Sequence, residues 1–279
     1  MAKNILRAQQ GRETRIIRVG HTPDMDDAFM FYAIASGAIA LDGFQFEHVI
    51  EDIQTLNRRA LSAELDMTAI SAASYPALVD HYWIVSVGSS VGQGYGPLVI
   101  ATAPCNPKEL EGRRIAVPGL RTTAFMLLRL AVPTFAPVEM PFAQIPEAVL
   151  QKKVDAGLLP ILDLGIWWQQ HTKLPLPLGL NVIKRSLKRK SAARVAAILR
   201  DSILYAFAHQ EEALAYAMRY GRGIDASRAR QFIGMYVNEE SLTLSKPCRE
   251  ALRLLFERAH QAGLIPSVPR ISVIDPPKS

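Results

Sequence analysis

Hydrophobic and polar positions follow two alternating patterns along the N-terminal part of the chain. Short apolar or alternating runs, which are typical of strands, lie at 16–20, 44–50, 67–71, 82–88 and 98–101. Segments with helical spacing separate the first four runs. We expect Asp26 or Asp27 to cap the first helix, Gly37 to end it, and Asp52 to cap the second. Strands that alternate with helices predict an α/β fold with a mostly parallel sheet.

The same pattern begins again after Pro104 and predicts a second α/β lobe. Strands are expected at 114–117, near 138 and at 154–159, with helices at 122–130 and 142–150. The C-terminal part is mainly helical, with amphipathic segments at 192–209, 211–220, 226–236 and 248–262. These patterns favour a globular molecule built from two lobes.

Composition and charge narrow the classes of partner. The 279 residues are 49% hydrophobic and 21% charged, which is ordinary for an ordered globular protein. A formal net charge of +6 favours anionic ligands. The densest basic run, at 184–190, contains no aromatic residue and no nucleic-acid recognition motif, so we interpret it as a solvated loop and expect no nucleic-acid partner.

Cysteine usage and the N-terminal residues bear on the cellular compartment. Cys105 and Cys248 have neither metal-ligand nor redox spacing, and we interpret them as thiols of a reducing compartment. We find no export signal and no apolar stretch that approaches a membrane span. The expected location is the cytoplasm, with no membrane partner, and the sequence gives no oligomeric state.

The start of the helix predicted at 122–130 is the first candidate ligand site. Thr122 and Thr123 follow a strand that ends in Val-Pro-Gly, which places two hydroxyls and free backbone N–H groups at a helix N-terminus. One interpretation is an anion site, to which Arg121 adds charge. The other, equally open on spacing alone, is simple N-capping by Thr122.

Other candidates lie in loops at the carboxyl ends of strands, where open parallel sheets bind ligands. His21 lies beside carboxylates, which would raise its pKa and suit a general base, although such a histidine often only hydrogen-bonds a turn. The glycine-rich loop 88–97 permits close approach to a ligand, with Ser90 and Gly92 as candidate binding residues.

Metal and nucleotide sites are not favoured. The aspartates at 24, 26 and 27 are explained more simply by capping than by a divalent cation, and no accompanying ligand motif is present. The loop 88–97 lacks the Lys-Ser/Thr ending of a phosphate-binding loop and is followed by a strand. We therefore expect no metal and no cofactor.

A series of motifs along nearly the whole chain resembles the menaquinone-biosynthesis family of the futalosine route, which includes 1,4-dihydroxy-6-naphthoate synthases. The matching segments are HTPDMDDAFMF at 21–31, DIQTLN at 52–57, GYGP at 94–97, AVPGLRTTA at 116–124, VDAGLL at 154–159, DLGIWW at 163–168, LPLPLG at 174–179 and NEESL at 238–242. Each motif is weak by itself, and their common order carries the resemblance.

The resemblance implies a type II periplasmic-binding-protein-like fold, in which two α/β lobes are joined by a hinge that the chain crosses twice. Lobe 1 would comprise 1–101 and 182–279, and lobe 2 would comprise 102–181. It also implies conversion of cyclic dehypoxanthine futalosine to 1,4-dihydroxy-6-naphthoate by proton abstraction and carbon–carbon cleavage, without metal or nucleotide. By the same resemblance, Asn57, Ser71, Thr122 and Thr123 line the cleft between the lobes and bind this small anionic substrate.

One departure from the family pattern leaves alternatives open. The family segment Asp-Ala-Gly-Leu runs into Ile-His-Glu, whose histidine is taken as the general base, whereas here Leu159 passes directly to Pro160. A second family histidine position, after Ala-Ile-Ser, is occupied by Ala72-Ala73. The chain is then either a lyase with another base, such as His21, or a catalytically silent protein that binds a small carboxylate. A weaker alternative is chorismate dehydration, which a sister branch performs.

Overall fold

The computed structural model describes residues 14–102, 107–221 and 223–277, and it places their strands in two separate sheets. Cys105 lies outside the described residues. The strands are β1 (Arg15–His21), β2 (Phe44–Ile50), β3 (Met67–Ser71), β4 (Tyr82–Val85), β5 (Ser90–Gly92), β6 (Leu98–Ala101), β7 (Arg114–Val117), β8 (Ala136–Glu139), β9 (Ala156–Asp163), β10 (Leu176–Lys184) and β11 (Val273–Ile274).

The first sheet has the order β11-β4-β10-β3-β1-β2, and β5 pairs alongside β10. Strand β1 is parallel to β2 and β3, whereas β10 runs antiparallel to β3, β4 and β5. The second sheet has the order β6-β9-β7-β8, with β7 parallel to both of its neighbours and β6 antiparallel to β9. The parallel strands β1 and β3 therefore bring their carboxyl ends to one edge of the first sheet.

Helices follow the strands in the manner of an α/β protein. They are α1 (Met25–Ala35), α2 (Ile53–Leu61), α3 (Thr123–Ala131), α4 (Ile145–Leu150), α5 (Leu164–Thr172), α6 (Arg189–Ala208), α7 (Gln210–Ala217), α8 (Ala226–Tyr236), α9 (Glu239–Leu242) and α10 (Lys246–Gln261). A short 3₁₀ helix at Ala72–Ala77 follows β3. None of the described helices is both long enough and apolar enough to cross a membrane.

Two large hydrophobic clusters form the core. One lies between the first sheet and helices α1, α6, α7 and α8, and it includes Val19, Phe31 and Leu199. The other is continuous from the first sheet to the second, since Ile70 and Val182 belong to the same cluster as Ile115, Leu127 and Leu252. The two-lobed α/β class predicted from sequence is confirmed, and apolar packing joins the lobes at their junction.

Strand pairing differs from the predicted lobe assignment at β6 and β10, and the lobe boundaries themselves stay a prediction. Leu98–Ala101, assigned to lobe 1, pairs in the second sheet as β6, and Leu176–Lys184, assigned largely to lobe 2, pairs in the first sheet as β10. The chain thus crosses between the sheets just before β6 and just before β10. Strand β10 was not predicted, because its proline and glycine weaken the strand pattern.

Two local expectations are wrong. Asp26 and Asp27 do not cap α1, since both lie inside its first turn and Asp24 occupies the N-cap position. The basic run 184–190 is not a loop: Lys184 ends β10, Arg185–Leu187 is a 3₁₀ helix and Arg189 begins α6. The guanidinium carbons of Arg185 and Arg189 lie 5.1 and 5.7 Å from the centre of the Trp83 ring. Those side chains are therefore partly held by aromatic contacts.

Candidate functional site

Four predicted binding residues lie around Gly179 in β10, and together they are called the group around Gly179: Asn57, Ser71, Ser90 and Thr123. Gly179 pairs with Ser71 of β3 on one side and with Ser90 of β5 on the other. Paired residues on neighbouring strands project toward the same face of a sheet, so the two serines flank a position that has no side chain. A Cβ built on Gly179 would lie 3.4 Å from the Cβ of Ser90, which is ordinary contact. Gly179 thus leaves a small space between two hydroxyl-bearing residues.

Asn57 belongs to the same group and fixes Ser71. Its side chain is fully buried, with Nδ2 donating to Ser71 Oγ at 3.1 Å and Oδ1 accepting from the Ser71 amide at 2.8 Å. Asp52 caps α2, as predicted, by accepting from the Thr55 amide at 3.0 Å. The cap and the buried Leu56 set the rotation of α2 that brings Asn57 onto the end of β3.

Thr123 extends the group across the junction of the two sheets. Its hydroxyl donates to the Leu178 carbonyl at 2.7 Å and accepts from the Ala73 amide at 3.2 Å. Leu178 precedes Gly179 in β10, and Ala73 lies just after Ser71. Ser74 adds a parallel link, since its hydroxyl donates to the Arg121 carbonyl at 2.9 Å. The start of α3 is therefore bonded directly to the strand ends of the first sheet.

Thr122 has the capping role that the sequence left open. Its Oγ1 accepts from the Phe125 amide at 3.2 Å and donates to the Gly119 carbonyl at 2.8 Å. Neither threonine hydroxyl is free to donate to a ligand in this arrangement. The amides of Thr123 and Ala124, by contrast, make no hydrogen bond within the described part of the chain, as expected for a first helical turn. Any anion at this helix start would bind those amides.

The glycine-rich loop packs against the protein's own backbone. Cβ atoms built on Gly92 and Gly165 would lie 2.1 Å from the Tyr95 carbonyl oxygen and 2.0 Å from the Tyr95 carbonyl carbon. Glycine at these positions is thus required by close packing of the loop on α5, whatever ligand binds. Ser241 holds the other end of the loop, because its carbonyl accepts from the Gly88 amide at 2.7 Å and its hydroxyl donates to the Ser89 carbonyl at 3.0 Å.

His21 lies apart from the group around Gly179, in a buried pair with His48. The ring of His21 stacks on Phe31 with a centroid distance of 4.9 Å, and its side chain is only 2% exposed. Its Nδ1 contacts the Thr22 carbonyl at 3.1 Å and its Nε2 contacts His48 Nδ1 at 3.0 Å. A carbonyl only accepts, so His21 Nδ1 carries the proton, and His48 Nδ1 donates to the neutral His21 Nε2. Both ring nitrogens of His21 are occupied.

The expected rise in the pKa of His21 is wrong. Burial lowers the pKa of His21, and burial together with the nearby His21 ring lowers the pKa of His48 to about 4. The neighbouring carboxylate that was expected to raise it binds elsewhere: Asp27 accepts from the Thr22 amide at 2.6 Å and from the Thr22 hydroxyl at 2.8 Å. His48 is half-buried, and its buried Nε2 has no partner in the described part of the chain.

Asp26 is the carboxyl group best suited to hold a proton. It is half-buried in the first turn of α1, where burial, followed by the neighbouring Asp27 and Asp24, raises its pKa to about 8. Burial also raises the pKa of Tyr236 to about 12, with contributions from Asp26, Tyr95 and Asp163. Tyr236 therefore lies within electrostatic reach of two carboxyl groups, that of Asp26 in α1 and that of Asp163 at the N-cap of α5.

Tyr95, which belongs to the glycine-rich loop, contacts Tyr236 and so places the loop near the Asp26 and Asp163 carboxyl groups. Their rings meet edge to face with centroids 5.8 Å apart, and the Tyr95 hydroxyl donates to the Met235 carbonyl. The sequence analysis did not single out either tyrosine, Gly179 or the role of His48. A cluster of aspartates beside a strand end was the available signal for Asp26, and it was interpreted only as capping or metal binding. No group of three or more potential metal ligands occurs among residues 14–102, 107–221 and 223–277.

The fold of the molecule is similar to that of the periplasmic binding proteins. The crystal structure of the periplasmic aliphatic sulphonate binding protein SsuA from Escherichia coli superposes with a TM-score of 0.63 over 95% of this chain and 94% of that chain. At 12% identity this likeness concerns the fold alone.

The chain belongs to the menaquinone biosynthesis family, whose model matches residues 17–261. It is 37% identical to 1,4-dihydroxy-6-naphthoate synthase of Thermus thermophilus over 268 residues, which cover 91% of this chain and 97% of the relative. The crystal structure of protein AF1704 from Archaeoglobus fulgidus is 49% identical, with a TM-score of 0.86 over 90% of this chain and 98% of that one. The family membership expected from the motifs is confirmed.

Proposed function

We propose that the protein is a carbon–carbon lyase that converts cyclic dehypoxanthine futalosine to 1,4-dihydroxy-6-naphthoate between its two lobes. The observation that carries the proposal is the full-length similarity to a 1,4-dihydroxy-6-naphthoate synthase, with 97% of that relative covered. Family membership over residues 17–261 supports the same pathway. We further propose that it acts in the cytoplasm and needs no cofactor.

The group around Gly179 is the proposed substrate site. Asn57, Ser71 and Ser90 provide polar side chains around Gly179, and the free first-turn amides of α3 can bind an anion favourably. Thr122 and Thr123 shape this helix start through their hydrogen bonds to Gly119 and Leu178. A substrate carboxylate that binds the amides would then bridge both lobes.

Asp26 is proposed as the proton acceptor in place of the family histidine. As a carboxylate it takes a C–H proton from the bound substrate, and the electron pair of that bond drives the cleavage of the neighbouring carbon–carbon bond. The pKa of about 8 makes the Asp26 carboxylate a minority form at neutral pH but a stronger base than an ordinary aspartate. Turnover should therefore rise with pH up to about 8.

The test is an absorbance assay for naphthoate formation from cyclic dehypoxanthine futalosine. Asp26→Asn should lower turnover by about 100-fold or more, the usual effect of losing a positioned base. His21→Gln should keep most of the turnover, because both His21 nitrogens are already bonded. Asp42→Asn, which removes an exposed aspartate, is the matched control. Full activity in Asp26→Asn, with loss in His21→Gln, would assign the base to His21 instead.

A second candidate function is binding of a small carboxylate without turnover. The missing Ile-His-Glu segment favours it, since the family base is absent between Leu159 and Asp163. Saturable binding of the substrate with no naphthoate formed would select this function. Gly179→Val tests the location of the binding site whether or not the protein turns the substrate over. The valine side chain is compatible with a strand but fills the space between Ser71 and Ser90. Binding should then weaken by about tenfold or more.

A further inference from the structure

A surface pocket of about 320 Å³, here called the Arg185–Arg270 pocket, lies at the edge of the first sheet opposite the group around Gly179. Strand β10 leads from Gly179 to this edge and ends at Lys184, directly before Arg185. At about 3.4 Å per residue, the step from Gly179 to Lys184 is about 17 Å. The lining residues are Val79, Asp80, Arg185, Arg270 and Ser272. The pocket therefore shares no residue with the proposed substrate site.

Arg185 is held in this pocket by contacts that do not neutralise its charge. Its Nε donates to the Val79 carbonyl at 2.8 Å, and its guanidinium carbon lies 5.1 Å from the centre of the Trp83 ring. A carbonyl and an aromatic face orient a guanidinium but supply no full negative charge. Arg185 is half-buried, and it forms no ion pair within 14–102, 107–221 and 223–277. It is thus an oriented cation with no counterion in that part of the chain.

Arg270 brings a second guanidinium to the same pocket. The buried Tyr75 fixes the backbone here, since its hydroxyl donates to the Arg270 carbonyl at 3.3 Å and accepts from the Ser272 amide at 3.2 Å. The Arg270 side chain is exposed and has neither a hydrogen bond nor an ion pair with any residue that the structure describes. Asp275, the next carboxylate along the chain, pairs with Arg249 at 2.8 Å instead. Arg270 is therefore available to a ligand.

The charge around the pocket is mainly positive. Residues 188–190, Lys-Arg-Lys, follow the 3₁₀ helix at Arg185, and the first turn of α6 contains no acidic residue. Asp80 is the one acidic residue of the lining, and it is exposed. Its carboxylate repels an anion, but two guanidiniums line the same space. The net field therefore favours an anionic ligand.

The donors in the lining select the class of anion. A phosphomonoester has three terminal oxygens and close to two negative charges at neutral pH, so it can bind two guanidiniums at once. Trp83 is 8% exposed and is covered by Arg185 and Arg189, so its face is not available for a nucleobase to stack on. We propose that the Arg185–Arg270 pocket is a binding site for a small, free phosphomonoester, held by both guanidiniums and the Ser272 hydroxyl.

The test is calorimetric titration of the full chain with glycerol 3-phosphate, with glycerol as the probe that lacks the phosphate. The wild type should bind glycerol 3-phosphate saturably and should not bind glycerol. Arg270→Gln should weaken this binding by about tenfold or more, because it removes a charge-assisted hydrogen-bond donor. The fold should not suffer, since the Arg270 side chain bonds to no described residue. Asp80→Asn, which removes the repelling carboxylate, should strengthen binding by about twofold to fivefold.

Lys190→Gln is the matched control, because it removes an equal charge from the same basic run at a residue outside the lining. Its affinity for glycerol 3-phosphate should stay within about twofold of the wild-type value at physiological salt. An equal loss in Lys190→Gln and Arg270→Gln would mean a diffuse attraction and would overturn the proposal, as would the absence of saturable binding to the wild type.

Two further measurements locate the ligand and the site. Tighter binding to vesicles of phosphatidylcholine and phosphatidic acid than to glycerol 3-phosphate would assign the pocket to a lipid headgroup and overturn the proposal of a free ligand. Gly179→Val should bind glycerol 3-phosphate as the wild type does, because the two sites share no residue. Loss of phosphate binding in Gly179→Val would instead place the bound phosphate at the proposed lyase site. Lyase turnover is measured separately, with the futalosine substrate.

Discussion

At the scale of single residues, the His21–His48 pair shows how a polar contact is kept neutral inside the fold. Each ring is held by one fixed hydrogen bond to the other, and His21 is also fixed to a backbone carbonyl. A proton added to either ring would place charge beside Phe31 in a buried environment. The pair therefore favours the neutral state and opposes protonation below neutral pH.

The pair predicts a loss of stability in acid. The folded pKa of His48 is about 4, below its ordinary value of 6.5, so the unfolded chain binds protons first as pH falls. The stabilisation is complete above the unfolded pKa and decreases toward pH 4. Between about pH 7 and about pH 5, the free energy of unfolding should fall by about 1 to 2 kcal/mol from this histidine. Urea unfolding of the wild type and His48→Gln at both pH values measures this difference.

The effect of His48 must be measured against a variant, because the carboxyl groups of Asp26 and Asp27 change the free energy of unfolding with pH in the opposite direction. The pKa values of Asp26 and Asp27 are raised to about 8 and about 6, so the stability they confer decreases as pH rises. These terms are common to wild type and His48→Gln and cancel in the difference. The exposed His81→Gln serves as the control and should follow the wild type. An identical acid response in all three proteins would contradict the assignment to His48.

The two hydrogen bonds of the Thr123 hydroxyl predict that this residue stabilises the contact between the two lobes. Replacement by Val keeps the shape but leaves the Leu178 carbonyl and the Ala73 amide without their partner. The free energy of unfolding should fall by about 1 to 3 kcal/mol, the usual cost of unpaired buried polar groups. Thr123→Ser keeps the hydroxyl and should lose less than half of that amount. Denaturant unfolding distinguishes the two, and equal stability of Thr123→Val and wild type would contradict the link.

At the scale of elements, local sequence patterns predicted most strands of the α/β units but missed β10, whose pairing is long-range. The bounds of β2, β3, β6 and β7 agree with the apolar runs, because alternation and short buried runs are local signals. Strand β10 was missed because its proline and glycine weaken the local strand pattern, and its pairing with β3, β4 and β5 is set by long-range contacts that no local pattern encodes. For the same reason the sequence analysis found Ser71 and Ser90 but not Gly179, which brings them together.

The packing of α5 on the glycine-rich loop provides a matched pair of glycine tests. Gly165→Ala places a Cβ 2.0 Å from the Tyr95 carbonyl carbon, where only backbone is available to move, and should destabilise by about 1 to 3 kcal/mol or more. Gly234→Ala, in α8, meets nothing within 4 Å and should stabilise by about 0.5 to 1 kcal/mol. Thermal unfolding of both variants measures the two opposite shifts. A stable Gly165→Ala protein would show that the loop is not packed on α5.

At the scale of the whole molecule, no strand pairing joins the two sheets of the described residues, but the sheets share one core. The chain crosses between them before β6 and before β10. Thr123 and Ser74 tie α3 to the first sheet, and the hydrophobic cluster continues through the same junction. A substrate at Gly179 would bind where those ties lie. The group around Gly179 could be predicted only in part, because it depends on contacts between elements that no local pattern encodes.

The shared core predicts that the two lobes unfold together. Ile70 from the first sheet, Ile115 from the second and Leu252 from α10 all belong to one buried cluster, so neither sheet unfolds without exposing apolar surface of the other. Calorimetry of the ligand-free protein should show a single transition whose calorimetric and van't Hoff enthalpies agree. Leu252→Ala should lower that transition as a whole, by about 2 to 5 kcal/mol in stability, and should not divide it. Two resolved transitions in the wild type would mean that the junction packing is too weak to couple the lobes, and would leave the Thr123 and Ser74 hydrogen bonds as their principal connection.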